Sequence, residues 1–141
     1  MARPQRTDYV RKVIRQRNPS AHRLIIVQRN GLAGRALGRC LAPLFAQTVV
    51  TTCPRVAEAL LSAAGSPPTD LVCGQRFADD EPPGVAWIAR WRSTAASLRR
   101  AVLVTAEPPS QPIDGLDAIF DKPVAPASLL RFFAERPSPD G

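Results

Sequence analysis

Short apolar runs alternate with segments of helical spacing from residue 23 to residue 135. The runs are rich in β-branched residues and have no polar face, which is typical of buried strands. Because such strands alternate with helices, we expect a parallel sheet covered by helices on both faces. Five strands are predicted, within residues 23–27, 47–52, 70–74, 99–106 and 117–123.

Four helices are predicted between and after these strands. They span residues 31–45, 54–65, 85–92 and 126–135, with Pro43 expected to break or kink the end of the first. Three prolines in the nine residues 107–115 exclude a regular helix between the fourth and fifth strands. We expect the first helix to bury one apolar stripe, with Arg35 and Arg39 off it. The stripe comprises Leu32, Ala33, Ala36, Leu37, Cys40, Leu41, Leu44 and Phe45.

The two tryptophans, Trp87 and Trp91, lie four residues apart on the third predicted helix. They therefore share a helix face. We expect one to lie in the core and the other to be exposed, where it would mark a partner or dimer surface, and we count Trp91 among the candidate partner contacts.

The positive charge is concentrated at the N-terminus. Of the net charge of +7, residues 1–29 contribute eight basic groups and one acid, and the remaining residues sum to zero. We expect a basic arm at 1–22, one domain at 23–135 and a flexible tail at 136–141. The arm is either a solvated tail or a docking segment for an acidic partner or nucleic acid. Its candidate contacts are Arg11, Lys12, Arg15 and Arg17.

Several function classes lack support in the sequence. No apolar window is long enough for a membrane span and no signal peptide is evident, so a cytoplasmic protein without membrane association is expected. There is no Ser-His-Asp set and no phosphate-binding glycine motif, and we expect no enzyme activity and no cofactor. Cys40, Cys53 and Cys73 form no C-x-x-C and His22 lies in the arm, so we expect structural thiols and no metal site. A redox or iron–sulfur role for the cysteines stays open.

In a parallel sheet the chemistry lies at the carboxyl ends of the strands. The motifs at these ends are IIVQRNGLAGRALGRCL after the first strand, DLVCGQRF at the third, VLVTA at the fourth and IFDKPV at the fifth. In this order and spacing, with Gln75 and Thr105 30 residues apart, they resemble the receiver domain of bacterial response regulators. The resemblance covers about residues 23–135. It implies a flavodoxin-like (βα)5 three-layer sandwich with a five-stranded parallel sheet, here with its fourth helix shortened or missing.

The chain departs from the receiver pattern at every carboxylate of the expected site. The resemblance places Gln28 and Arg29 where receivers hold Mg²⁺ with acids, and Gln75 at the phosphoacceptor aspartate. Thr105 and Lys122 match the family. Because an amide cannot become an acyl phosphate, the expected pocket is degenerate. Asp79, Asp80 and Glu81 form an alternative acidic loop, and Ile119 replaces the aromatic switch residue.

The resemblance therefore implies a stand-alone pseudo-receiver that acts through protein contacts. Its docking face would be the first helix and the loop after the fifth strand, with Arg35, Arg39, Pro123 and Val124 as candidate contacts. Such a protein would inhibit a histidine kinase or phosphotransferase, or act as an adaptor, and a homodimer stays open. Residues 1–29 offer an alternative role in nucleic-acid or ribosome binding. Arg29, Thr105 and Lys122 are expected to form a positive pocket, which leaves capture of an anion open.

Overall fold

The computed structural model describes residues 20–111 and 113–135. The proposed contacts in the arm, Arg11, Lys12, Arg15 and Arg17, and the proposed tail at 136–141 lie outside these residues. Within the described part of the chain, no helix has both the length and the hydropathy needed to cross a membrane.

Five parallel strands form one sheet in the order β2-β1-β3-β4-β5. All six residues of the central strand β3 are buried, as expected for a strand covered on both faces. The parallel sheet predicted from the sequence is confirmed. The strands are β1 (Ser20–Val27), β2 (Phe45–Thr51), β3 (Thr69–Gly74), β4 (Leu98–Thr105) and β5 (Ala118–Asp121).

Helices cover both faces of this sheet. One core lies between the sheet and α2 and α3, and the other between the sheet and α1 and α4. No helix occurs in the described residues between β4 and β5, so the predicted loss of that helix is confirmed. The helices are α1 (Gly31–Leu41), α2 (Pro54–Ser62), α3 (Gly84–Thr94) and α4 (Pro126–Ala134).

Local sequence signals define where the helices begin and end. Asn30 caps α1 by accepting a hydrogen bond from the backbone N–H of Ala33 at 3.1 Å. Proline occupies the first position of both α2 and α4, where its missing N–H costs nothing. A short 3-10 turn, Ala42–Leu44, follows α1 because Pro43 cannot continue the α-helical hydrogen bonding.

Three predictions about the N-terminal half are wrong. β1 begins at Ser20, not at residue 23, so residues 20–22 belong to the sheet and not to the arm. Accordingly, His22 contacts the carboxylate of Asp70 in β3, with 3.2 Å between Nδ1 and Oδ1. The first helix ends at Leu41, and Phe45 lies in β2.

The two tryptophans of α3 both belong to the core. Trp87 is 5% exposed and Trp91 is fully buried, with ring centroids 5.5 Å apart. The Trp91 indole N–H donates to Glu58 Oε2 at 3.0 Å, which satisfies its one polar group. The prediction that Trp91 is an exposed partner contact is therefore wrong.

Candidate functional site

The carboxyl ends of four strands bring the predicted site residues to one edge of the sheet. Thr105 pairs in register with Asp121, and the backbone N–H of Lys122 donates to the Thr105 carbonyl at 3.0 Å. Gln28 and Gln75 follow the ends of β1 and β3, two strands that are neighbours in the sheet. The edge predicted from the sequence is thus where these side chains lie.

The site residues are nevertheless divided between two grooves. Arg29, Gln75 and Thr105 line a groove of about 370 Å³, here called the polar groove. Gln28 and Lys122 line a second groove of about 520 Å³, here called the α1–α4 groove. Lys122 thus lines a different groove from Arg29 and Thr105, and the single positive pocket expected of these three residues stays a prediction.

Arg29 is exposed and lines the polar groove, where a backbone carbonyl fixes its guanidinium. Its Nη1 donates to the carbonyl of Phe77 at 3.1 Å, and Phe77 is itself buried at 6% exposure. The guanidinium thereby ties the end of β1 to the β3–α3 loop. A cation now lies at the position where the receiver resemblance expects an acidic metal ligand.

Gln75 caps helix α3. Its Oε1 accepts a hydrogen bond from the backbone N–H of Val85 at 3.0 Å, and its own carbonyl accepts from Gly84 at 2.8 Å. The N-cap residue of α3 is Pro83, whose side chain makes no capping bond. Gln75 therefore supplies from a distance the acceptor that a local serine or aspartate usually provides.

Close packing at this point requires glycine at position 84. A Cβ built on Gly84 would lie 1.9 Å from the carbonyl oxygen of Gly74, far inside van der Waals contact. The first turn of α3 consequently packs directly against the end of β3. This packing keeps the Gln75 amide in reach of the helix N-terminus.

The hydroxyl of Thr105 is bonded within its own loop. Its Oγ1 accepts from the backbone N–H of Glu107 at 3.1 Å, as in a turn closed by a threonine side chain. The Glu107 carboxylate pairs with Arg76 at 2.8 Å, with both side chains 75% exposed. The Thr105 side chain thus orders the start of the β4–β5 connection.

The residues of the polar groove do not suit the magnesium ion that a receiver would hold. The described residues contain no group of three His, Cys, Asp or Glu side chains that could bind a metal. Glu81 pairs with Arg55, and Glu107 pairs with Arg76. Because Mg²⁺ binds through carboxylates, and the strand ends here offer amides and a guanidinium, the donor set does not fit the ion. The alternative acidic loop at Asp79–Glu81 gains no support.

The α1–α4 groove has a predominantly apolar lining. Of the stripe that the sequence predicts to be buried, Leu32, Ala33, Ala36 and Cys40 are exposed instead, and Leu32 is 72% exposed. Gly34 and Gly38 face the sheet together with Leu37 and Leu41, because glycine lets α1 approach closely there, and Leu32, Ala33, Ala36 and Cys40 are left outside this face. The groove lies between α1 and the β5–α4 loop. It is lined by Gln28, Asn30, Ala33, Ala36, Leu37, Cys40, Val104, Lys122, Pro123, Val124 and Pro126.

The candidate docking residues lie on two sides of α1. Pro123 and Val124 line the α1–α4 groove, whereas Arg35 and Arg39 line a separate groove with Thr48 and Val50 of β2. Arg35 and Arg39 are exposed on α1, which carries no acidic residue. Pro123 is exposed and Val124 is half-buried in the β5–α4 loop. Sequence reasoning missed Asn30 and Cys40 as groove residues. The spacing of Ala33, Ala36 and Cys40, at three and four residues, marks them as one helix face, but not as an exposed one.

The three cysteines are free and occupy different environments. Cys40 is exposed, Cys53 is half-buried and Cys73 is buried. Burial raises the pKa of the Cys73 thiol to about 12, so this thiol stays protonated and unreactive. The expectation of buried structural thiols therefore holds for Cys73 and is wrong for Cys40.

Solved structures of receiver domains resemble this chain. A CheY-like response regulator receiver domain from Methylobacillus flagellatus has a TM-score of 0.66 and 19% identity, covering 82% of this chain and 100% of that one. The signal receiver domain of an HD domain-containing protein from Pseudomonas fluorescens has a TM-score of 0.65 and 16% identity, covering 79% and 90%. A sensor protein from Polaromonas has a TM-score of 0.62 and 19% identity, covering 81% of this chain and 94% of that one.

These comparisons define the fold of the chain. At such low identity the likeness concerns architecture, and the chain has the CheY-like, flavodoxin-like α/β fold. Neither a protein-family model nor a curated protein sequence matches it. The function must therefore be argued from the residues at the two grooves.

Proposed function

We propose that this chain is a regulatory protein of receiver fold that is not phosphorylated and acts by binding another signalling protein. The observation that carries the proposal is the exposed apolar surface of α1 beside the β5–α4 loop. Ala33 and Ala36 are exposed along the α1–α4 groove, and Leu32, in the first turn of α1, is 72% exposed next to them in sequence. Exposed apolar surface beside a groove is typical of a contact surface.

The polar groove supports the absence of phosphorylation. Aspartyl phosphorylation needs a carboxylate nucleophile, and position 75 carries an amide. The oxygen of this amide is engaged by the N–H of Val85, and the Arg29 guanidinium is held by the Phe77 carbonyl. Of the carboxylates that line this groove, Glu81 pairs with Arg55 and Glu107 with Arg76, and none stands at a strand end where a receiver would bind its metal. These groups have structural roles in place of phosphoryl chemistry.

Charge defines the partner that would fit this surface. Arg35 and Arg39 are exposed on α1 and Lys122 is exposed at the end of β5, whereas α1 has no acidic residue. The matching surface is a helix that presents apolar residues flanked by Asp or Glu. Helix-in-groove recognition has this form. A histidine kinase or phosphotransferase that offers such a helix would be occupied and inhibited, or linked to a third protein.

Affinity capture followed by mutation tests the proposal. The protein captured from its native cells should retain one signalling protein, and Arg35→Glu/Arg39→Glu should reduce binding of that purified partner at least ~10-fold, because like charges would then face each other. The control Arg76→Glu/Arg99→Glu changes the net charge equally at exposed positions away from α1. Unchanged binding by the α1 variant, or equal loss in both variants, would contradict this docking face.

A further inference from the structure

The α1–α4 groove has the size and lining of a site for a small molecule. Its volume is about 520 Å³, and ligand sites in proteins span about 300–1,000 Å³. Its walls are mainly aliphatic, from α1, from Val104 and from the β5–α4 loop. Only three polar side chains line it, Gln28, Asn30 and Lys122. Such sites typically combine apolar walls with a few polar groups that fix the orientation of the ligand.

Gln28 presents an unused hydrogen-bond donor in this groove. The residue is 2% exposed, and its Nε2 has no hydrogen-bond partner. The side chain is held between β3 and α1, because Cβ atoms built on Gly74 and Gly34 would come within 3.3 and 3.4 Å of it. A buried donor without an acceptor is costly in a folded protein. An acceptor that enters the groove would remove this cost.

Lys122 supplies the positive charge of the α1–α4 groove. It is exposed, it lines the same groove, and it takes part in none of the salt bridges that the described residues form. No Asp or Glu lines the groove. Asn30 is already engaged as the cap of α1. A ligand would therefore meet one ammonium and one amide donor without a competing carboxylate.

We propose that the α1–α4 groove binds a small molecule with a carboxylate and an aliphatic body. The carboxylate accepts from Gln28 Nε2 and pairs with the Lys122 ammonium, and the aliphatic body packs against Ala33, Ala36 and Val104. Hydrogen bonds between a charged group and a neutral or charged partner are among the stronger ones in proteins. This site goes beyond the proposed docking role, because it requires no partner protein. Since Ala33 and Ala36 belong to both surfaces, a bound ligand would also change the docking face.

Titration of the full chain with sodium octanoate tests the site. Acetate has the carboxylate without a long aliphatic body, and octan-1-ol has the aliphatic body without a carboxylate. Each probe therefore lacks one of the two groups that the site would recognise. Octanoate should bind at least ~10-fold more tightly than either probe, which corresponds to about 1.4 kcal/mol. Backbone and side-chain amide signals of Gln28 should shift in the NMR spectrum. Equal affinity for octanoate and octan-1-ol would overturn the proposal.

Two variants assign the binding to the two donors. Lys122→Met, at an exposed position that leaves the core intact, and Gln28→Leu should each weaken octanoate binding ~10-fold. Neither should weaken the binding of octan-1-ol. Arg76→Gln, in the polar groove, is the control and should leave the octanoate affinity unchanged. Unchanged affinity in Lys122→Met, or an equal loss in Arg76→Gln, would overturn the assignment.

Cys40 gives an independent readout. It is exposed and lines the groove, whereas Cys53 is half-buried outside it. Octanoate should slow alkylation of Cys40 at least several-fold and leave the rate at Cys53 unchanged. If octanoate fails to bind while Lys122→Met weakens a captured partner protein, the groove serves a partner side chain and the small-molecule proposal is overturned. If octanoate binds and no partner is captured, the site stands and the docking role falls.

Discussion

The amide oxygen of Gln75 accepts a hydrogen bond from the backbone N–H of Val85 at 3.0 Å, across a loop of nine residues, 75 to 83. Gln75 stands at the end of β3, where the receiver resemblance expects the phosphoacceptor. The side chain reaches the first turn of α3 and satisfies one of its unpaired donors. The residue at the expected phosphoacceptor position thus also stabilises the fold, by capping α3.

Replacement of Gln75 by aspartate should not restore phosphorylation. Gln28 and Arg29 remain at the metal position, and without Mg²⁺ an aspartyl phosphate is not formed efficiently. We expect Gln75→Asp, incubated with Mg²⁺ and acetyl phosphate, to gain no phosphoryl group by intact mass spectrometry. The shorter side chain also falls short of Val85, so the free energy of unfolding should drop by about 1 kcal/mol.

The control for this variant is Gln111→Asp, which makes the same chemical change at an exposed loop position. It should alter the free energy of unfolding in urea by less than about 0.5 kcal/mol. A phosphorylated Gln75→Asp protein would show that Gln28 and Arg29 do not exclude the metal. The argument against phosphorylation of the natural sequence would then rest only on the missing carboxylate at position 75.

A methyl group at position 84 should destabilise the protein strongly. The Cβ of Gly84→Ala would lie 1.9 Å from the Gly74 carbonyl oxygen, and relief requires movement of backbone on both sides. We expect a loss of about 3 kcal/mol in the free energy of unfolding, at the upper end of overpacking effects. Urea denaturation followed by circular dichroism measures it.

Gly31 offers the matched control, because it is also the first residue of a helix. A Cβ there would meet its nearest atoms, in Arg35 and Thr52, at 3.4 Å, which is ordinary contact. Gly31→Ala should therefore be neutral or slightly stabilising. Equal effects of the two substitutions would show that α3 does not pack against β3 as closely as described.

The sheet was predictable from the sequence, whereas the division into two grooves was not. β-branched runs such as residues 23–27 and prolines such as Pro54 and Pro126 act locally, so their periodicity and position define strands and helix starts. The rotation of α1 about its axis depends on a tertiary contact. Gly34 and Gly38 let the helix approach the sheet, which exposes Leu32. Binary patterning placed Leu37 and Leu41 correctly in the core but also counted Leu32 as buried, because it assigns apolar residues to the interior and glycine to neither face.

The candidate site, too, could be predicted from the sequence only in part. Spacing along the chain brings Gln28, Arg29, Gln75, Thr105 and Lys122 to one edge, but side-chain direction decides which of them meet. Arg29 turns toward Phe77, and Lys122 lies on the side of α1. These directions follow from loop hydrogen bonds over long sequence separations. Such bonds leave no periodic trace in the sequence.

The buried thiol of Cys73 should make stability fall at high pH. Burial raises the pKa of Cys73 from 9.0 to about 12, so the unfolded chain loses this proton at lower pH than the folded chain does. The contribution of Cys73 is fully present below the unfolded pKa and is lost as pH rises through the folded value. Urea unfolding should show a steeper decline above about pH 9 in the natural sequence than in Cys73→Ala. Parallel curves for the two proteins would contradict this origin.

The ion pair between Asp70 and Arg100 should be the costliest to break. Asp70 is fully buried, and Arg100 donates to its Oδ2 through Nε at 3.0 Å and Nη2 at 2.7 Å. The same guanidinium donates to the carbonyl of Glu135 at 2.8 Å, at the end of α4. Asp70→Asn leaves a buried cation without its carboxylate, and we expect a loss of about 3–5 kcal/mol in the free energy of unfolding.

The surface pair of Arg76 and Glu107 provides the comparison for this last variant, because its N–O distance of 2.8 Å is similar while both side chains are 75% exposed. Solvent screens this pair, so Glu107→Gln should cost at most about 1 kcal/mol. In Asp70→Asn/Arg100→Met the isolated charge is gone, and the loss should be smaller than the sum of the two single losses. Equal effects of Asp70→Asn and Glu107→Gln in urea would show that burial does not strengthen the pair.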